Sequence, residues 1–143
     1  MNRADFVFAL FLAAGVLSSC SAAADLKCPA SVAVKQELPA PPAGWEAVGG
    51  SSDVQLDRVA FYLKHPRLGG SLVPDGNQKS KGEERETWKF VAAPGDEYWM
   101  GCIYQDTTVI LARKLDPGVS KCEVRYELLK SGSRLGVKQI SCE

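Results

Sequence analysis

The chain has 143 residues, 45% of them hydrophobic and 24% charged, an ordinary globular composition sufficient for one domain. Lysine plus arginine and aspartate plus glutamate number 17 each, so the net charge at pH 7 is zero. That balance removes any electrostatic case for nucleic acid or an anionic membrane, and no acidic tail suits a basic partner.

Residues 1–24 read as a targeting segment. Arg3 supplies a weak positive start, opposed by Asp5, and residues 6–17 form an unbroken run of 12 apolar positions. A membrane span needs ~20 such residues, whereas a signal-peptide core needs fewer. Two processing sites compete behind it. Ala22-Ala23-Ala24 suits ordinary signal peptidase, leaving 25–143 as a single β domain. Leu17-Ser18-Ser19-Cys20 resembles a bacterial lipobox, which would make 1–19 the leader and Cys20 the site of lipidation. Both routes export the product to the periplasm, the second with a lipid anchor in the envelope.

Cysteine usage points the same way. Cys20 is lost or lipidated, and Cys28, Cys102, Cys122 and Cys142 remain, an even count that implies two disulfides in an oxidising compartment. Zinc would want close pairs, but the spacings are 74, 20 and 20, with His65 as the only histidine. No metal or other cofactor is expected.

The mature chain reads as a small all-β fold, an antiparallel sheet, barrel or sandwich of about seven to eight strands by its alternation. Residues 30–38 form a first strand, with Val32 and Val34 on one face, stopped by Pro39, Pro41 and Pro42. Trp45 follows Gly44 and is expected to fold back as a lid on the core, an exposed binding aromatic being the alternative. Gly49-Gly50-Ser51-Ser52 is a flexible turn. Residues 56–64 are the next strand, with Val59, Phe61 and Leu63 on one face and Tyr62 on the other. Residues 72–75 are a short extended piece. Residues 76–86 carry no apolar side chain and are expected to be a long charged loop.

The densest stretch, residues 87–126, is expected to lay consecutive strands into one sheet. Trp88 and Phe90 share a face. Tyr98, Met100, Cys102 and Tyr104 share another, with Trp99 and Ile103 behind them, which marks a central strand. Gln105-Asp106 suits a tight hairpin that would set Cys102 opposite Val109. Residues 107–115 are a further strand. In 120–129, Cys122, Val124, Tyr126 and Leu128 alternate with Glu123, Arg125 and Glu127. A loop centred on Gly132 then returns the chain along 135–142. That register puts Cys122 opposite Cys142 and leaves Cys28 to pair with Cys102.

No catalytic set emerges. A hydrolytic triad lacks a base, since His65 sits beside a proline at a strand end, and the mature cysteines are committed. Asp96, Glu97 and Asp106 lie in or beside turns, where carboxylates are solvated. The protein reads as a non-enzymatic binder. Its candidate contacts are Ser131, Ser133 and Arg134 on the last hairpin tip, where arginine would pair with carboxylates of an acidic cleft, and the aromatics Trp45 and Tyr62. The tip is similar to the Ser-Gly-containing loop of the periplasmic lysozyme inhibitors, which are also small β-barrel proteins, but lacks the aromatic that follows there.

Taken together, several landmarks resemble a family of small exported proteobacterial proteins of uncharacterised function. The carriers are Cys28-Pro29-Ala30-Ser31, residues 42–45, Val59-Ala60-Phe61-Tyr62, Leu72-Val73-Pro74-Asp75, Thr87-Trp88, residues 99–104, 107–111 and 122–126, and Ile140-Ser141-Cys142. The resemblance implies export and a β fold. It also implies, through relatives linked to type VI secretion genes, an immunity or inhibitor protein against a cell-wall-targeting toxin or hydrolase. An envelope module binding a small ligand or glycan through Trp45, Tyr62 or Trp99 is the alternative, and a lipid-anchored structural component is a third.

Overall fold

The computed structural model describes residues 26–143 apart from Ala92. The targeting segment, both processing sites and Cys20 lie outside the described residues. Eight strands follow one another: β1 (Ser31–Gln36), β2 (Gly50–Leu63), β3 (Gly76–Ser80), β4 (Glu83–Lys89), β5 (Tyr98–Tyr104), β6 (Ile110–Lys114), β7 (Lys121–Leu128) and β8 (Arg134–Cys142). They build two antiparallel four-stranded sheets, ordered β1-β2-β5-β6 and β3-β4-β7-β8. The helical content among the described residues is one 3₁₀ turn, Pro66–Leu68, capped by the His65 ring nitrogen, which accepts from the Arg67 amide at 3.2 Å.

The core lies between the sheets and follows from period-two alternation. Val59 and Phe61 of β2 and Met100, Cys102 and Tyr104 of β5 face Trp88 of β4, Phe90 just beyond it, and Cys122, Val124 and Tyr126 of β7. The Phe61 ring sits 4.8 Å from Trp88 and 5.5 Å from Phe90, centroid to centroid, in tilted pairs. Burying each such aromatic stabilises the fold by about 1.5–3 kcal/mol, with roughly 0.5–1.5 kcal/mol more for the ring contacts. Tyr126 is fully buried, and its hydroxyl donates across the core to the Val59 carbonyl at 3.4 Å. Burial pushes that phenol's pKa up.

Both disulfides join the expected partners. Cys122 and Cys142 are direct neighbours in the β7–β8 ladder, with Cα atoms 4.1 Å apart. Cys28 bonds Cys102, Cα to Cα 5.8 Å, and so ties the segment before β1 to the middle of β5. The Tyr104 hydroxyl reinforces that tie by donating to the Pro29 carbonyl at 3.0 Å.

Four expectations about strands and turns fail, each for a physical reason. Residues 76–86 are no long loop: β3 and β4 pair from Gly76–Thr87 to Ser80–Glu83, and Gly82 turns the chain at φ 84°. The strand from Trp88 extends backwards because Glu84 and Glu86 keep its two-residue period, with an arginine waiting for their carboxylates. Gly49-Gly50-Ser51-Ser52 is no turn either, since Gly50, Ser51 and Ser52 pair with Gln36, Lys35 and Val34. Residues 87–126 do not share one sheet. β5 and β6 join β2, while β4 and β7 join each other, the two pairs covering opposite sides of the core. Finally, the β5–β6 connection is longer than a tight hairpin. Asp106 does take the left-handed conformation, at φ 55°, but pairing resumes only at Ile103–Ile110, so Cys102 faces Leu111 and not Val109.

Candidate functional site

The last hairpin tip is compact. Gly132 sits at φ 86°, its amide donates to the Leu129 carbonyl at 2.9 Å, and Leu129 donates back to Ser133 at 2.8 Å. Ser131 and Ser133 are exposed, their hydroxyls 3.3 Å apart. Arg134 turns away from the tip. Its Nε donates to Glu84 at 2.8 Å, its Nη2 donates to Glu86 at 2.6 Å, and its guanidinium lies 3.8 Å from the centre of the Tyr126 ring.

This polar cluster closes one end of the core. Glu84 and Glu86 stand opposite Tyr126 and Val124 in the β4–β7 ladder and therefore point to the core side. Glu84 is buried and also accepts from the Asn77 side chain at 2.8 Å. The hydrogen bond from Arg134 outweighs the opposing effect of burial, and with Asn77 it holds the Glu84 carboxyl at about 2. The same bond pushes the Arg134 guanidinium up. Sequence reading missed this constellation. The signal was there: stepping back by twos from Phe90 and Trp88 lands on Glu86 and Glu84.

On the outer side of the same sheet, Lys138 pairs with Glu83 at 2.9 Å, Arg125 with Glu123 at 2.8 Å and Arg85 with Glu123 at 3.3 Å. Such partly exposed pairs contribute little to stability, being screened by solvent, and keep that face wetted.

The aromatics divide. Tyr62 is buried on the outer side of the first sheet, opposite Trp99, and its ring lies over Gly101. Trp99 is half-buried beside the His65 ring, centroids 4.6 Å apart. Trp45, expected to cover the core, is 75% exposed on the loop between β1 and β2. Three prolines and the turn at Gly44 hold it outward.

Several open hollows lie on the surface of the described residues. One, of about 320 Å³, is lined by Glu97, Tyr98, Lys114 and Asp116 among others. Another, of about 480 Å³, lies beside the exposed strand β6 and is lined by His65, Arg67, Thr108 and Ile110 among others. Neither is lined by Trp45, Tyr62 or Trp99. Among the described residues no three His, Cys, Asp or Glu side chains group as metal ligands would.

These features define the class: a two-sheet, disulfide-stapled all-β protein with a wetted charged face and exposed apolar loops. Residues 51–143 match the family described as type VI secretion system Tli immunity protein, and since this is more than half of the chain, the protein belongs to that family. No curated protein and no solved structure matches the chain. Membership in an immunity family implies a protein toxin as partner.

Proposed function

We propose that this is an exported immunity protein that neutralises a toxin in the periplasm by covering it, with no chemistry of its own. The family match carries the reading. It is supported by the two disulfides, which belong in an oxidising compartment, and by the apolar run of residues 6–17 ahead of small residues fit for cleavage. A toxin met there attacks the envelope. The cell wall is the target proposed, membrane phospholipid being the other substrate within its reach. The exposed Ser131 and Ser133 and the loop bearing Trp45 are the proposed contacts, whereas Arg134 and Tyr62 act by shaping the scaffold. Lipidation of Cys20 would hold the inhibitor at the membrane, and mass spectrometry of the mature N-terminus reads it directly.

The test is co-expression with a toxin encoded beside its gene and directed to the periplasm. Full-length protein is expected to restore growth, and a version lacking residues 1–24, retained in the cytoplasm, to give none. Wall fragments or released fatty acids in the unprotected culture identify the toxin's substrate. Equal protection by the cytoplasmic version would defeat the periplasmic reading, and lysis unrelieved by the full-length protein would defeat the immunity reading.

A further inference from the structure

The loop of residues 37–49 leaves the first sheet between paired Gln36 and Gly50 and returns to it, without joining the core. It nonetheless holds three large apolar side chains in water: Leu38 is 57% exposed, Trp45 75% and Val48 95%. Single exposed apolar residues are ordinary, but a tryptophan with two aliphatic companions on one short loop is a contact feature.

The loop is also built to hold its shape. Pro39, Pro41 and Pro42 fix three of its backbone angles. The Trp45 amide donates to the Pro42 carbonyl at 3.0 Å, and Gly44 at φ 83° occupies the position where such a turn requires a left-handed residue. At its base, the Gln36 side chain donates to the Asp106 carbonyl at 2.9 Å, pinning the hairpin end to the β5–β6 connection. A tryptophan presented on a stiff turn loses little conformational freedom on binding, the property that makes this side chain a frequent anchor of protein interfaces.

Charge selects the kind of surface that receives it. Residues 37–49 contain no lysine or arginine, and of their two glutamates Glu37 pairs with Lys35 at the base, which leaves Glu46 as the charge beside the indole. Loops that dip into anionic bilayers carry basic residues around their aromatics, so this composition opposes a membrane. It suits instead an apolar pocket with a basic rim, the indole entering and Glu46 meeting the rim.

We propose that the 37–49 loop is the toxin-binding anchor of this protein, with Trp45 filling an apolar, basic-rimmed pocket on the toxin; this rests on the immunity reading given above. The test uses purified wild type, Trp45→Ala, Glu46→Lys and Gly44→Val against a catalytically inactive form of the toxin encoded beside its gene, by calorimetry. Trp45→Ala is expected to weaken binding at least about 30-fold, with an unchanged melting temperature because the side chain is exposed. Glu46→Lys and Gly44→Val, which reverses the rim charge and disturbs the turn respectively, are expected to weaken it less. In the wild type, toxin should shield the indole from acrylamide quenching. Tight binding by both wild type and Trp45→Ala would overturn the anchor and leave the immunity reading standing. No binding by the wild type would overturn both. Binding to phosphatidylglycerol vesicles, or self-association in the ultracentrifuge, that is lost in Trp45→Ala while toxin affinity is unchanged would assign the loop to a bilayer or to a second copy and overturn the proposal.

Discussion

Arg134 and Glu84 meet across 50 residues of chain, Nε to carboxylate 2.8 Å, and the pair seals the open end of the core beneath the last hairpin. Glu84 is almost without solvent, whereas Arg134 keeps part of its surface in water. Removing the arginine therefore strands a buried carboxylate. Arg134→Met is expected to destabilise the protein by about 2–4 kcal/mol, the usual range for breaking a buried pair from one side, less what water regains. Pairing it with Glu84→Gln should recover part of that loss, since the more buried of the two stranded carboxylates is then gone while Glu86 remains. Urea denaturation of the four forms gives the coupling. Additive losses would show that the two side chains do not act together.

The same pair makes stability depend on pH in a fixed direction. In the folded protein the Glu84 carboxyl is held at about 2 against an ordinary 4.5, first by the Arg134 hydrogen bond. The unfolded chain thus binds this proton more readily, so stability rises with pH through that interval. The contribution is fully present above about 4.5 and is lost as pH falls towards 2. Glu83, bonded to Lys138, and Glu97, bonded to Lys114, are also lowered and act in the same sense. Melting temperatures recorded between pH 6 and pH 2.5 should fall on acidification, and Glu84→Gln should start lower and fall less steeply. Parallel curves would contradict the role given to Glu84.

How much of this was legible beforehand varied with how locally each feature is determined. The alternation around Met100, Cys102 and Tyr104 and around Cys122, Val124 and Tyr126 names the core faces directly, because side-chain period is local. The disulfide partners followed from register, even though Cys102 proved to face Leu111, since two residues' slip does not bring it near Cys122. Sheet membership was hidden: nothing in the turn 93–97 tells the chain to cross from β4 in one sheet to β5 in the other. From sequence alone Arg134 reads as a contact on the hairpin tip, because its partners lie in a segment whose charges look fully solvated. Trp45 reads as inward because hydrophobicity says only that an indole prefers cover, and the proline-stiff loop leaves it exposed.

The two sulfur bridges should differ in their stabilisation. Cys28–Cys102 closes a separation of 74 residues and Cys122–Cys142 one of 20. Loop entropy alone gives upper values of about 4.5 and about 3 kcal/mol. The structure widens that difference. Without the short bridge β7 and β8 remain paired by their ladder, whereas without the long one Cys28 and Pro29 are held chiefly through Tyr104. The Cys28→Ser/Cys102→Ser variant is expected to melt well below Cys122→Ser/Cys142→Ser, with both below the wild type. A calorimetric order opposite to this, or a melt indifferent to dithiothreitol, would refute the account.

Gly101 permits the outer face of the first sheet to pack at all. A Cβ there would lie 2.8 Å from Cε2 of Tyr62 and 2.9 Å from Cγ2 of Ile110, closer than such carbons approach. The missing side chain lets the Tyr62 ring cross β5, and Ile110 closes over it from strand β6. Gly101→Ala must displace one of the two. Tyr62 is buried and has little room, while Ile110 stands on the edge and is 38% exposed, so Ile110 should move first. The cost is expected to be about 1–3 kcal/mol, as for other overpacked sites. Adding Ile110→Ala removes the atom in the way and should return part of that stability, although Ile110→Ala alone destabilises. Such opposite behaviour of one substitution in two backgrounds is measurable by urea denaturation. If Ile110→Ala harms Gly101→Ala as much as it harms the wild type, the close contact at this strand crossing is not what requires glycine.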